Sequence, residues 1–188
     1  MQSNRTASCR LVALTVCAIA ALATNSLADI RLPAIIGDNM AIQAGDKVRL
    51  WGWADPNEEI EVALSWRDFT WSVQADDQGK WEFLVVAPSA GGPYQITLKG
   101  KNTVTIKNIL AGQVWVCSGQ SNMEMAVIQV LNAEKEIAAA KYPKIRLFTV
   151  ERRVAETPQD DCKGQWVECS PETVPGFSAA GYFFGREL

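Results

Sequence analysis

From Leu32 to about Leu110 apolar and polar residues alternate, and a period of two predicts strands. The alternating segments are Ala34–Gln43, Lys47–Ala54, Glu59–Trp66, Phe69–Ala75, Trp81–Ala87, Tyr94–Lys99 and Thr103–Leu110. Turn-forming groups separate them, among them Ala44-Gly45-Asp46, Asp55-Pro56-Asn57, Asp76-Asp77-Gln78-Gly79 and Ala90-Gly91-Gly92-Pro93. Short strands at this spacing, with no helical period between them, predict an antiparallel β-sandwich.

After Gly112 the pattern changes. Gln113–Cys117 is continuously apolar apart from its first residue, as a strand buried on both faces would be. In such a strand Cys117 would be a small buried hydrophobe. Asn132 is placed to cap a helix over Ala133–Lys141, with Glu134 near its positive end. Tyr142-Pro143 closes that helix, and Lys144–Val150 reads as a further strand. Strand, turn, helix and strand make a βαβ unit, which is normally parallel. A polar connection, a short strand at Gln165–Cys169 and a helix from Phe177 onward complete the chain. The predicted fold class is therefore mixed: a β-sandwich domain at 29–110, then the start of a three-layer α/β domain at 111–188. That second domain reads as cut off before its sheet is covered.

Residues 1–28 read as an export signal. Arg5 and Arg10 precede an apolar run from Leu11 to Ala23, and Ser26-Leu27-Ala28 offers the small residues of a cleavage site. The run is too short to span a bilayer. An exported protein, periplasmic or extracellular, is expected, without membrane attachment once the signal is cleaved. The whole chain has 18 basic and 21 acidic residues; losing the two leader arginines leaves 16 against 21, or −5. Such a surface disfavours nucleic acid as a partner. The sequence does not define an oligomeric state.

Three cysteines follow the leader: Cys117, Cys162 and Cys169. Cys162 and Cys169 are close enough in sequence either to pair or to remain free. No Cys/His spacing calls for a metal, and no motif calls for a cofactor. The tryptophans allow two readings. Trp51 and Trp53 share one face of a strand, with Trp66, Trp71 and Trp81 on neighbouring segments. They suit a sugar-stacking platform, or they fill a small core; aromatic burial favours the core. Asp160-Asp161 reads as solvated surface.

The candidate chemistry lies in Val114-Trp115-Val116-Cys117-Ser118-Gly119-Gln120-Ser121-Asn122-Met123-Glu124-Met125. A Gly-Gln-Ser-Asn turn after a strand would hold Ser121 at the strand's carboxyl end, where open α/β sheets place their sites. It is not the Gly-x-Ser-x-Gly elbow, because position 123 is methionine. The chain contains no histidine, so a serine nucleophile lacks its usual base. Glu124 reads as a turn residue rather than a substitute base.

This block closely resembles the nucleophile block of the sialate O-acetylesterases, a branch of the SGNH-type carbohydrate esterases. Three other stretches agree with that family. Leu32-Pro33, Gly37-Asp38-Asn39-Met40 and Val48-Arg49-Leu50-Trp51-Gly52-Trp53-Ala54 resemble its N-terminal β-region. Tyr142-Pro143-Lys144-Ile145-Arg146-Leu147-Phe148 resembles the strand after its first helix. Trp166, Cys169-Ser170-Pro171-Glu172-Thr173-Val174 and Phe177-Ser178-Ala179-Ala180-Gly181-Tyr182-Phe183-Phe184-Gly185 resemble its next block.

The resemblance implies an SGNH-type esterase domain from 111 onward and hydrolysis of an O-acetylated sugar. Ser121 would be the catalytic nucleophile, and its backbone N–H one oxyanion donor, a contribution of about 3 kcal/mol where such donors have been removed. The family's other oxyanion donors and its Asp-x-x-His block have no counterpart in these residues. Two further readings stay open: another sugar acetylesterase, such as an acetylxylan esterase, and a secreted β-sandwich binding module carrying an inactive esterase remnant.

Overall fold

The computed structural model describes residues 29–188. The leader expected at 1–28 lies outside the described residues. The alternating half forms seven strands: β1 (Ala41–Gln43), β2 (Lys47–Trp53), β3 (Glu59–Leu64), β4 (Thr70–Gln74), β5 (Lys80–Val86), β6 (Gly91–Lys99) and β7 (Thr103–Gly112). Five of them make one sheet in the order β1-β7-β6-β3-β4, and β2 pairs with β5 in a separate ladder. The sheet is mixed, because β1 runs parallel to β7 with Ala41 opposite Leu110. This corrects the wholly antiparallel arrangement expected from the pattern.

The predicted strand at Ala34–Gln43 survives only in its last three residues. The N–H of Ile36 donates to Pro33 (2.9 Å), that of Met40 donates to Gly37 (3.2 Å), and Asn39 takes φ 64°. Two successive turns thus occupy most of the segment, and asparagine is among the residues that enter the left-handed region at least cost.

Alternate side chains from both strand groups meet in one core. Leu50, Ile60, Val62, Trp81, Ile96, Leu98, Ile106 and Ile109 are all buried within it. Trp81 fixes one local feature. A Cβ on Gly52 would collide with the Arg31 carbonyl oxygen and come within 2.9 Å of the Trp81 indole, so only glycine fits beneath that ring. Trp51, Trp66, Trp71 and Trp166 pack half-buried against the same core.

The second half departs further from expectation. It contains α1 (Ser121–Glu124), a single 3-10 turn at Val127–Gln129, α2 (Ala133–Ala139), β8 (Tyr142–Phe148), β9 (Trp166–Cys169) and α3 (Ala179–Arg186). Val127, Ala140, Leu147, Cys169, Val174, Ala179 and Tyr182 make a second, smaller core. Residues 113–117 form no strand, and Val116 is 92% exposed. A strand needs a hydrogen-bonding neighbour along its edge. Among the described residues, this segment's bond to the β-sheet is the Val114 N–H donating to the Gln43 side chain at 3.0 Å. Without its first strand the βαβ unit does not form. Instead β8 pairs antiparallel with β9, Leu147 opposite Val167.

Two smaller corrections concern α2. It begins where expected, but Asn132 sits at φ 60° and its side chain makes no capping bond. The helix also ends two residues early, at Ala139. The N–H of Ala140 closes onto Ile137, and Tyr142 already belongs to β8.

The two halves are joined by buried polarity rather than by apolar contact alone. Arg146 of β8 is 3% exposed in its side chain and lies 2.6 Å from the Glu168 carboxylate of β9. Asn108, at φ 57° within β7, donates to Glu168 (2.8 Å) and to the Asn39 side-chain oxygen (2.7 Å). Its own oxygen accepts from Arg146 at 3.1 Å. These bonds hold the Glu168 carboxyl below its ordinary pKa, first through Asn108 and then through Arg146.

Candidate functional site

Ser121 is the first residue of α1 and is exposed. The turn that contains it is closed by the N–H groups of Met123 (2.9 Å) and Glu124 (3.2 Å), both donating to the Gln120 carbonyl. Among the described residues, nothing accepts from the Ser121 N–H or bonds its hydroxyl. An N–H at the first helical position has no partner within the helix, so it points outward as a free donor. The serine therefore sits on a tight, hydrogen-bonded turn, exposed, with its hydroxyl and N–H without partners among the described residues. It does not stand at a strand's carboxyl end as expected, because 113–117 is not a strand.

What holds the turn is α3. The N–H of Ala179 donates to the Met125 carbonyl at 2.8 Å, and the Ser178 hydroxyl lies 3.2 Å from the Met123 sulfur. Ser178 also caps α3 by accepting from the Gly181 N–H. Further back, Trp115 packs edge-on against Phe184, ring centres 5.1 Å apart. A Cβ on Gly181 would lie 3.5 Å from the Cys117 sulfur, an ordinary contact distance, so α3 runs close beside the serine block. Cys117 itself is exposed, which corrects its placement in a buried strand; Cys162 and Cys169 are also free thiols.

Glu124 ends α1 and pairs with Arg152 at 2.6 Å, both side chains more than half exposed. It braces the turn from outside and makes no contact with Ser121. Behind α1, Glu136 of α2 accepts from the Tyr182 hydroxyl (2.7 Å) and from Arg186 (2.5 Å). The Tyr182 bond, then Arg186, lowers the Glu136 pKa; burial, then Glu136, raises that of Tyr182. The helix carrying Ser178 is thereby locked to α2. Sequence reasoning missed this clamp, although Tyr182 and Arg186, four apart on an amphipathic helix, were a usable signal.

Asp160 and Asp161 are not merely solvated. The Asp160 carboxylate meets Lys80 at 2.7 Å, and its carbonyl accepts from the Trp51 indole at 3.1 Å. Asp161 accepts from the Ala34 N–H at 2.8 Å and lies 3.5 Å from Arg31. The pair pins the 150–164 connection onto the β-half. Among the described residues, no group of three or more His, Cys, Asp or Glu side chains is placed to hold a metal ion, and no helix is long and apolar enough to cross a membrane.

The fold, a curled mixed sheet with short helices, is similar to that of a carbohydrate acetylesterase. The crystal structure of such an enzyme from Xanthomonas citri superposes with a TM-score of 0.81 at 32% identity, over 85% of this chain and 37% of the other. Among curated proteins the chain's homologues are sialate O-acetylesterases. Those of Homo sapiens and Pongo abelii are 32% identical over 84% of the chain, and that of Rattus norvegicus 31% identical over 74%. The chain spans 34% of the length of the first two. No family profile matches it.

Proposed function

We propose that this chain carries the nucleophile of an exported serine esterase that removes O-acetyl groups from sialic acid or a related sugar. The observation that carries the proposal is the Gly119-Gln120-Ser121-Asn122 turn. It is exposed at Ser121, docked on α3, and set in a chain homologous to sialate O-acetylesterases. The reading divides the chain into a leader (1–28), a β-sandwich domain (29–110) and the first part of an SGNH-type esterase domain (111–188).

In the reaction Ser121 Oγ attacks the acetyl carbonyl carbon, and its proton passes to a base. The Ser121 N–H donates to the oxygen that gains charge. The C–O bond to the sugar then breaks; the sugar oxygen takes a proton and leaves as an alcohol, with acetyl held on Ser121. Water adds to that ester and releases acetate, restoring the hydroxyl. These 188 residues contain no histidine, so an imidazole base would have to come from outside them. No metal or cofactor enters any step.

A second reading keeps the chemistry and changes the sugar. It is favoured by the Xanthomonas citri relative, which is described only as a carbohydrate acetylesterase. Acetate release by the natural gene product from O-acetylated sialic acid and from acetylated xylan separates the two. Ser121→Ala is expected to abolish release from whichever is cleaved, and release from neither would refute the esterase reading.

A further inference from the structure

The outward face of the β2–β5 ladder carries a cleft that the serine chemistry does not use. Residues directly opposite in a ladder share a face. Trp51 lies opposite Glu82, and Trp53 opposite Lys80. Leu50, Gly52, Trp81 and Val85 take the alternate positions and are buried. Trp51 and Trp53 therefore stand on the outer face, half-buried, and Trp53 is not among the residues packed on the core.

Two walls turn this face into a cleft of about 360 Å³, within the range of small-ligand sites. One wall is Arg49 with Glu82, 3.4 Å apart. The other is the turn at Gln159 and Asp160, held down by the Trp51 indole N–H and by Lys80. At the cleft's edge Trp81 is buried with its indole N–H unpartnered among the described residues, a donor whose isolation in the interior is costly.

The chemistry of this lining selects a class of ligand. A pyranose ring presents an apolar C–H face and a rim of hydroxyls that both donate and accept. Two indoles supply the floor: Trp51 also packs against the core's edge, the Arg31 guanidinium stacks 3.8 Å from the Trp53 ring centre and that of Arg49 lies 5.1 Å from the Trp51 ring centre, so a sugar stacks on the faces these cations leave. Arg49 and Lys80 supply donors, and Glu82 and Asp160 supply acceptors. The lining holds two cations, Arg49 and Lys80, and three anions, Asp76, Glu82 and Asp160, and this acidic excess disfavours an anionic ligand. Exposed ion pairs contribute little to stability, about 1 kcal/mol at most, so hydroxyls can insert between them at small cost. We propose that the Trp51–Trp53 cleft is a glycan-binding site for a neutral pyranose chain, separate from Ser121.

The placement suits a polymeric substrate. The 150–164 connection touches the serine turn through Arg152 and Glu124, and the cleft through Asp160. Eight residues separate Arg152 from Asp160, a reach of at most about 28 Å. The inference goes beyond the serine reaction, and its failure leaves the esterase reading untouched.

Calorimetric titration of the natural gene product with xylohexaose, cellohexaose and mannohexaose tests it, with sialyllactose as the charged comparison. At least one neutral hexasaccharide is expected to bind. Trp53→Ala should raise its Kd about tenfold, the scale of one aromatic contact, and Trp53→Phe should recover most of the loss. Lys80→Met, on the exposed rim, should raise the Kd about threefold with only a small fall in Tm, as for an exposed ion pair, and provides a readout should Trp53→Ala fail to fold. Trp53→Ala and Lys80→Met should leave hydrolysis of a small aryl acetate unchanged, which separates this site from the esterase. Binding of no neutral hexasaccharide, binding of sialyllactose alone, or a Kd indifferent to folded Trp53 and Lys80 variants would overturn the proposal.

Discussion

Arg146 and Glu168 meet at 2.6 Å across β8 and β9, yet only the arginine is buried: its side chain is 3% exposed against 44% for the glutamate. The pair is therefore asymmetric. Removing Glu168 strands a desolvated guanidinium, whose Nε already has no partner. Asn108 reaches both members from the β-half, so the pair also fastens the two halves together.

Glu168→Ala should accordingly destabilise the protein by about 2–4 kcal/mol, the scale for breaking a buried ion pair with allowance for the exposed partner. Arg146→Met combined with Glu168→Ala should lose less than Glu168→Ala alone, because no charge is left buried. Urea denaturation of the three proteins measures both. Equal stability of wild type and Glu168→Ala would contradict the asymmetry.

Acid should weaken the same junctions. Glu168 is held below its usual pKa by Asn108 and Arg146, Glu136 by Tyr182 and Arg186, and Asp160 by Lys80. A depressed folded-state pKa means that the charged form stabilises the fold. This stabilisation is complete above the ordinary carboxylate range, about 4, and is lost as pH falls through that range toward the lower folded value. The urea midpoint should be level from about pH 7 to 5 and fall below it. Glu136→Gln should be less stable at neutral pH and flatter toward acid. A midpoint that rises on acidification would rule this out.

The thiols give a separate check on the folded state. Cys117 is exposed, Cys162 half-buried and Cys169 buried, and burial raises the pKa of the last two. Thiolate is the reacting form. A disulfide-exchange reagent should modify Cys117 fastest and Cys169 only on unfolding, with all three titratable after unfolding without reductant. A missing pair of thiols would show that Cys162 and Cys169 are bridged.

The strands of the β-half were legible because each presents one face to a shared core, which imposes the two-residue period on the sequence. What failed were features fixed by partners distant in sequence. The pattern at 34–43 is apolar enough for a strand, but left-handed Asn39 and two turn bonds take most of it. The apolar run at 113–117 reads as buried, yet burial requires neighbours on both edges, and composition cannot supply them. Asp160-Asp161 looks like any charged loop; its contacts with Lys80, Trp51, Ala34 and Arg31 link residues some 80 to 130 positions apart. The turn that carries Ser121 was legible for another reason. A Gly-Gln-Ser-Asn turn is encoded locally, and the fold changes only what it is docked upon.

The account depends on Ser121 being the group that takes the acetyl. Treating the natural gene product with a fluorophosphonate and locating the adduct by peptide mass spectrometry tests this directly. The predicted adduct is on Ser121, is absent from Ser121→Ala, and disappears in parallel with acetate release. The isolated 188-residue chain, lacking any imidazole, should stay unlabelled because a serine hydroxyl without a base is a poor nucleophile at neutral pH. An adduct on another residue, or undiminished acetate release by Ser121→Ala, would contradict the assignment.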